Sequence, residues 1–194
     1  MSQIAIHKDS PVRSRIHPQN FALYAAFASI FMMFAAFTSA YIVRQSSGDW
    51  LDFAVPNIFY ISTVILLISS VTIQYSYNSF KKNIERQYKR FLLVSLILGT
   101  LFVILQYVGW SQMFDQGIDM KRNLSGAFFY LITGAHAAHI LGGVSAIIVA
   151  IIHAYTLPFK VTDKRKQRFS LVVQYWHFVD VLWIYLLGFL LFSR

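Results

Sequence analysis

The chain contains no cysteine among its 194 residues. That removes disulfides, iron–sulfur clusters and thiolate zinc sites together. Charge is also scarce. Asp, Glu, Lys and Arg make up 13% of the residues, against about a quarter in an ordinary soluble domain. A chain this poor in charge does not cover a water-facing surface, so a soluble globular enzyme is excluded. Disorder is excluded by the opposite measure, because 57% of the residues are hydrophobic and disordered chains are poor in them. No Gly-rich phosphate loop, nucleophile elbow or paired-acid site occurs.

What is present is a series of long apolar runs at 21–43, 57–78, 91–110, 127–154 and 171–192. About 20 apolar residues cross a hydrocarbon layer of roughly 30 Å, so each run is long enough to span. Backbone amides inside lipid need internal partners, which makes the runs helices. The first run is too long, and its polar leader too extended, for a cleaved signal peptide. The fourth exceeds the required length and predicts tilt or an extension into the interface. The fold class is therefore all-α, a single membrane domain over 1–194 with five transmembrane helices. The connecting segments are too short for a folded domain, which leaves the chemistry to the helices or to another subunit.

The basic residues order these spans. Thirteen of the 17 Lys and Arg fall on one side of a five-span fold. Lys8, Arg13 and Arg15 precede the first run. Lys81, Lys82, Arg86, Lys89 and Arg90 fill the second loop, and Lys160, Lys164, Arg165, Lys166 and Arg168 the fourth. Arg44, Lys121, Arg122 and Arg194 lie opposite. The positive-inside rule then predicts a cytoplasmic N-terminus and an external C-terminus. The net charge of +9 reads as topology plus attraction to anionic lipid, not as a nucleic-acid footprint.

Two runs carry distinctive side chains. In the fourth, Gly134, Ala138, Gly142, Ala146, Ala150 and Ala154 recur at every fourth position, a row of small residues that lets a neighbouring helix approach closely. His136 and His139 lie beside it, with His153 near the predicted cytoplasmic end. In the fifth run, Asp180 is the sole carboxylate within any span. Placing it there costs at least about 2.5 kcal/mol, so it requires partners, and His177 stands three residues earlier on a shared face. A proton relay and an interhelical hydrogen-bond anchor are both open. The anchor is preferred, since a relay needs a chain of groups and only one acid is present. Two of His136, His139 and His177 offer a bis-histidine haem site in principle, but aromatic residues crowd the set. Buried hydrogen-bonding imidazoles are the simpler reading. A small transporter is disfavoured by the lack of an internal repeat or broken helix pair.

The stretch Ser125-Gly126-Ala127-Phe128-Phe129 followed by Thr133-Gly134-Ala135-His136-Ala137-Ala138-His139 resembles a signature of subunit III of haem–copper cytochrome c oxidases. So does Tyr175-Trp176-His177-Phe178-Val179-Asp180-Val181-Leu182-Trp183. Leu105-Gln106 and Ser69-Ser70-Val71-Thr72 agree in order and spacing, and the likeness covers all five spans. The chain looks like the five-helix bacterial form of the family, which lacks the first two helices of the longer members. The resemblance implies a non-redox subunit of a proton-pumping oxidase that sits in the bacterial inner membrane and supports aerobic respiration. It would pack against the haem- and copper-bearing catalytic subunit I and other oxidase subunits, with room for a larger respiratory supercomplex. It would bind phospholipid and sustain proton uptake and turnover while holding no haem or copper itself. The equivalent subunit of a quinol oxidase or nitric oxide reductase is the alternative within this class, and the haem-bearing anchor the alternative outside it. The likeness also places His153 where some relatives have an arginine that meets lipid head groups. Ile30, Gly109 and Ser170 stand where relatives often have glutamate, so a proton-handling role resting on those acids does not carry over.

Overall fold

The computed structural model describes residues 18–46, 50–51, 53–118, 120 and 123–193. Lys8, Arg13, Arg15, Lys121, Arg122 and Arg194, used above to orient the spans, lie outside the described residues. Five helices occur: α1 Pro18–Gln45, α2 Ile58–Lys81, α3 Glu85–Asp115, α4 Leu124–Thr156 and α5 Asp163–Phe192. All five are long and apolar enough to cross a membrane, and no strand is found among the described residues. Each contains one predicted run, apart from Asn57 ahead of α2, and most extend past it into polar sequence. Helical hydrogen bonding does not stop where the apolar side chains do.

The helix ends have local causes. Pro18 opens α1, where its missing N–H is no loss. Between α2 and α3 the chain reverses through Asn83 at φ 61°, with Asn83 N bonded to Phe80 O and Ile84 N to Ser79 O. Gly117, at φ 78°, ends α3 in the same way, with Gly117 N on Phe114 O and Ile118 N on Met113 O. Both are Schellman caps, which need a left-handed residue after the helix. Thr162 caps α5 by accepting from Arg165 N.

A 3-4 spacing of buried residues repeats through the bundle. On α2 it reads Phe59, Ser62, Leu66, Ser69, Ile73, Ser76, Phe80. On α3 it reads Tyr88, Leu92, Ser95, Gly99, Phe102, Gln106, Gly109, Met113. The average of 3.5 residues keeps one seam facing its neighbour along the whole helix. Small and hydroxyl side chains at every other level let α2 and α3 lie close, and Thr72 reaches Ser95 at 2.8 Å while Ser76 Oγ donates to Tyr88 O at 3.0 Å. α5 packs against α2 and α4, α3 against α4, and α1 touches only α4 and α5.

Candidate functional site

The fifth-helix motif forms the centre of the bundle. Trp176, Asp180 and Trp183 fall on the 3-4 row of α5 and are buried. Trp176 lies against two glycines: a Cβ on Gly99 of α3 would stand 2.6 Å from its ring, and one on Gly143 of α4 2.9 Å. Its Nε1 donates to Ser69 Oγ on α2 at 2.9 Å. One level on, Trp183 Nε1 donates to Thr63 Oγ1 at 2.9 Å, and its ring lies 4.7 Å from that of His136. Each indole thus buries a large apolar surface while its single donor is satisfied by a hydroxyl on α2.

His177 and Asp180 diverge. Residues three apart differ by about 60° around a helix. Asp180 turns inward and is 2% exposed, whereas His177 lies at the seam with α2. Both imidazole nitrogens are taken there: Ser70 Oγ lies 2.6 Å from Nδ1, and Nε2 lies 3.0 Å from Gln74 Oε1. The second contact requires Nε2 to carry the proton, so Nδ1 accepts from Ser70. Gln74 Nε2 in turn donates to Asn78 Oδ1 at 3.3 Å. Among the described residues neither carboxyl oxygen of Asp180 meets a hydrogen-bond donor, and Ser70 is the polar side chain beside it. The expected His177–Asp180 contact is therefore replaced by a contact of His177 with α2.

The α4 histidines are engaged separately. His136 is fully buried and its Nε2 donates to Val179 O of α5 at 3.1 Å. His139 Nδ1 donates to Ala135 O of its own helix at 2.7 Å, while its backbone carbonyl accepts from Tyr175 Oη at 3.0 Å. Among the described residues no group of three or more His, Cys, Asp or Glu converges to hold a metal ion.

The small-residue row of α4 spirals around its helix. Four residues turn 400°, so each step advances about 40°. Ala138 and Gly142 are exposed, Gly134 and Ala146 intermediate, and Ala154 buried. The contact face inside this chain is instead Phe129, Thr133, His136, Ile140, Gly143 and Ile147. Sequence reasoning missed Gly99 and Gly143 as the glycines that admit Trp176. The signal was present as the 3-4 spacing, which keeps one azimuth where a strict fourfold spacing drifts.

His153 borders a cavity of about 270 Å³ at the end of the bundle where α4 stops and α5 begins. Arg165 and Arg168 supply positive charge, and Phe80, Tyr88 and Phe169 are among the apolar and aromatic side chains of its wall. Arg165 is fixed by donating to Pro158 O at 2.7 Å and Lys160 O at 3.3 Å.

Residues 19–193 match the sequence profile of the family described as cytochrome c oxidase subunit III. The chain belongs to the cytochrome c oxidase subunit III family. Among its relatives, cytochrome c oxidase subunit 3 of Corynebacterium diphtheriae is 30% identical over 79% of this chain and 77% of its own length. The probable cytochrome c oxidase subunit 3 of Nocardia farcinica is 28% identical over 95% of this chain and 96% of its own. Rat cytochrome c oxidase subunit 3 is 32% identical over 65% of this chain, and the match spans 46% of the rat protein. Family and helices together make this a multi-pass membrane subunit that works in a complex with other oxidase subunits.

The family frame also gives the three departures a structural setting. A Cβ on Gly109 would stand 2.7 Å from Phe59 and 2.9 Å from Ile58, so α2 side chains fill the space a glutamate would need. Ser170 accepts from Gln174 Nε2 at 2.9 Å, and Gln174 Oε1 accepts from Tyr24 Oη at 3.1 Å. Ile30 packs against the core cluster.

Proposed function

We propose that this chain is the non-redox subunit III of a bacterial inner-membrane cytochrome c oxidase. It packs on the catalytic subunit that holds haem and copper, and it binds phospholipid and sustains proton uptake and turnover there. The observation that carries this reading is the division of α4 into two faces. The inner face interlocks with α3 and α5, while Ala138 and Gly142 stay outside. A shallow groove of small side chains suits close approach by a helix of another subunit, where dispersion replaces the missing hydrophobic drive. Support for a non-redox role comes from the imidazoles. His136 Nε2 and both nitrogens of His177 are engaged by protein groups, while His136 Nδ1 is buried without a hydrogen-bond partner.

The lipid component rests on the cavity beside His153. Two guanidinium groups above an apolar, aromatic wall suit an anionic phospholipid, with the phosphate at Arg165 and Arg168 and an acyl chain along Ala146, Val149 and Ala150. The test is removal of the subunit from the purified oxidase. Haem and copper spectra are expected to persist and oxygen uptake to start at an appreciable rate, then to decline during turnover. Loss of a haem signal with this chain would overturn the non-redox reading.

A further inference from the structure

The contacts of His177 form part of a longer file along the seam of α2 and α5. Starting beside Asp180, the polar groups follow in the order Ser70, His177, Gln74 and Asn78, and each adjacent pair from Ser70 onward is in hydrogen-bond contact. Ser70 is at the middle of α2 and Asn78 lies three residues before Lys81, so the file rises about 12 Å toward that end of the helix. Alongside it runs an open groove of about 390 Å³, lined by Ser70, Val71, Gln74, Tyr75, Asn78 and His177. We propose that this groove is a proton-exchange path connecting the Asp180 carboxyl to the membrane face at which α2 ends in Lys81 and Lys82.

Three observations carry the argument. First, the donors share one polarity. Ser70 donates to His177 Nδ1, Nε2 donates to Gln74 Oε1, and Gln74 Nε2 donates to Asn78 Oδ1. Ser70 Oγ stands beside the carboxyl without a hydrogen bond to it, so a proton leaving Asp180 reaches Ser70 through a side-chain rotation or one intervening water. Ser70's own proton then passes to Nδ1 and the Nε2 proton departs into the groove. One proton enters the file and one leaves it. Second, amides do not hand protons on, so water must carry them past Gln74 and Asn78. A groove of this volume holds several waters at roughly 30 Å³ each, and its walls supply the two to four polar partners that an ordered water needs. Third, polar side chains facing hydrocarbon at this depth are costly, and a wetted groove removes that cost.

Among the described residues, none brings a cation against the carboxyl. On α5 the titratable neighbour is His177. α4 offers His136, committed to Val179 O, and His139, committed to Ala135 O. α2 contributes neutral Ser70, Gln74 and Asn78, with Tyr75 on the groove wall. In its described part α1 brings only Tyr24, Tyr41 and Arg44 among titratable groups, toward its two ends. The proposal goes beyond subunit III's support of turnover, because exchange is a property of the carboxyl whether or not pumping depends on it.

The test is infrared spectroscopy of the intact oxidase on transfer from H2O to D2O. The wild type should show a protonated-carboxyl band that is missing in Asp180→Asn and that shifts promptly in D2O. Gln74→Leu and Asn78→Leu should keep the band and slow its shift by roughly tenfold or more, the effect of about 1.4 kcal/mol on a barrier. Asn78 is half-buried near the helix end, so its variant carries the test where Gln74→Leu does not assemble. Ile68→Leu, on the exposed side of α2, should exchange like wild type. Absence of an Asp180 band, a wild-type band that does not shift, or wild-type exchange in both groove variants would each overturn the proposal.

Discussion

A Cβ placed on Gly99 would stand 2.6 Å from Cη2 of Trp176. The indole is fully buried and anchored through Nε1 to Ser69, so it cannot swing aside without breaking that bond. Gly99→Ala is therefore expected to destabilise the subunit by about 1–3 kcal/mol, the usual cost of overpacking a filled core. Gly134→Ala is the matched control. Its Cβ would meet nothing nearer than 4.0 Å, and the gain in helix propensity makes it neutral or slightly stabilising. Thermal denaturation in detergent, followed by tryptophan fluorescence, distinguishes the two.

Ser69→Ala tests the same anchor from α2. It leaves a buried indole N–H without an acceptor, with an expected loss of about 1 kcal/mol. Ser145→Ala should be silent, because Ser145 is exposed and bonds only to the carbonyl one turn earlier on its own helix. A comparable loss in both would assign the effect to helix propensity instead of the indole contact.

Gly142→Leu addresses the outer row of α4. The residue is exposed in the chain, and a Cβ there approaches Tyr175 Oη only to 3.4 Å. The substitution is expected to leave the isolated subunit's stability nearly unchanged and to lower its recovery with the catalytic subunit. Co-purification after gentle detergent extraction measures this, with Val149→Leu as the mild comparison.

Arg168→Gln should reduce the anionic phospholipid retained by the complex, since it withdraws one of the two guanidinium groups from the cavity beside His153. Native mass spectrometry counts the retained lipid. Arg165 is the poorer choice, because it also holds the loop through Pro158 and Lys160 and its loss would disturb the fold.

Orientation is tested by single cysteines in a chain that has none. Gln116→Cys should react with an impermeant reagent from outside intact cells, and Lys164→Cys should not. Position 116 is chosen over 117 because Gly117 has φ 78°, a conformation that strains any other residue. The reverse labelling pattern would invert the predicted topology.

The five spans, their helical character and the family were legible in the sequence. Length and apolarity are one-dimensional properties, and lipid leaves the backbone no alternative to a helix. The two long motifs supply Trp176, Asp180, Trp183 and His136, all of them buried, and the rings of His136 and Trp183 lie 4.7 Å apart. What their side chains touch was decided only in three dimensions. A linear reading paired His177 with Asp180 because they are three residues apart, but a 60° turn separates them and α2 supplies closer partners for the imidazole. The fourfold row of small residues that it picked out on α4 is distinct from the buried row, which follows the 3-4 spacing and puts Gly143 against Trp176. Periodicity shows that a helix has a face, but the azimuth of that face depends on which neighbours are present. Contacts between helices far apart in the chain, such as Ser70 with His177, exist only once the bundle has assembled.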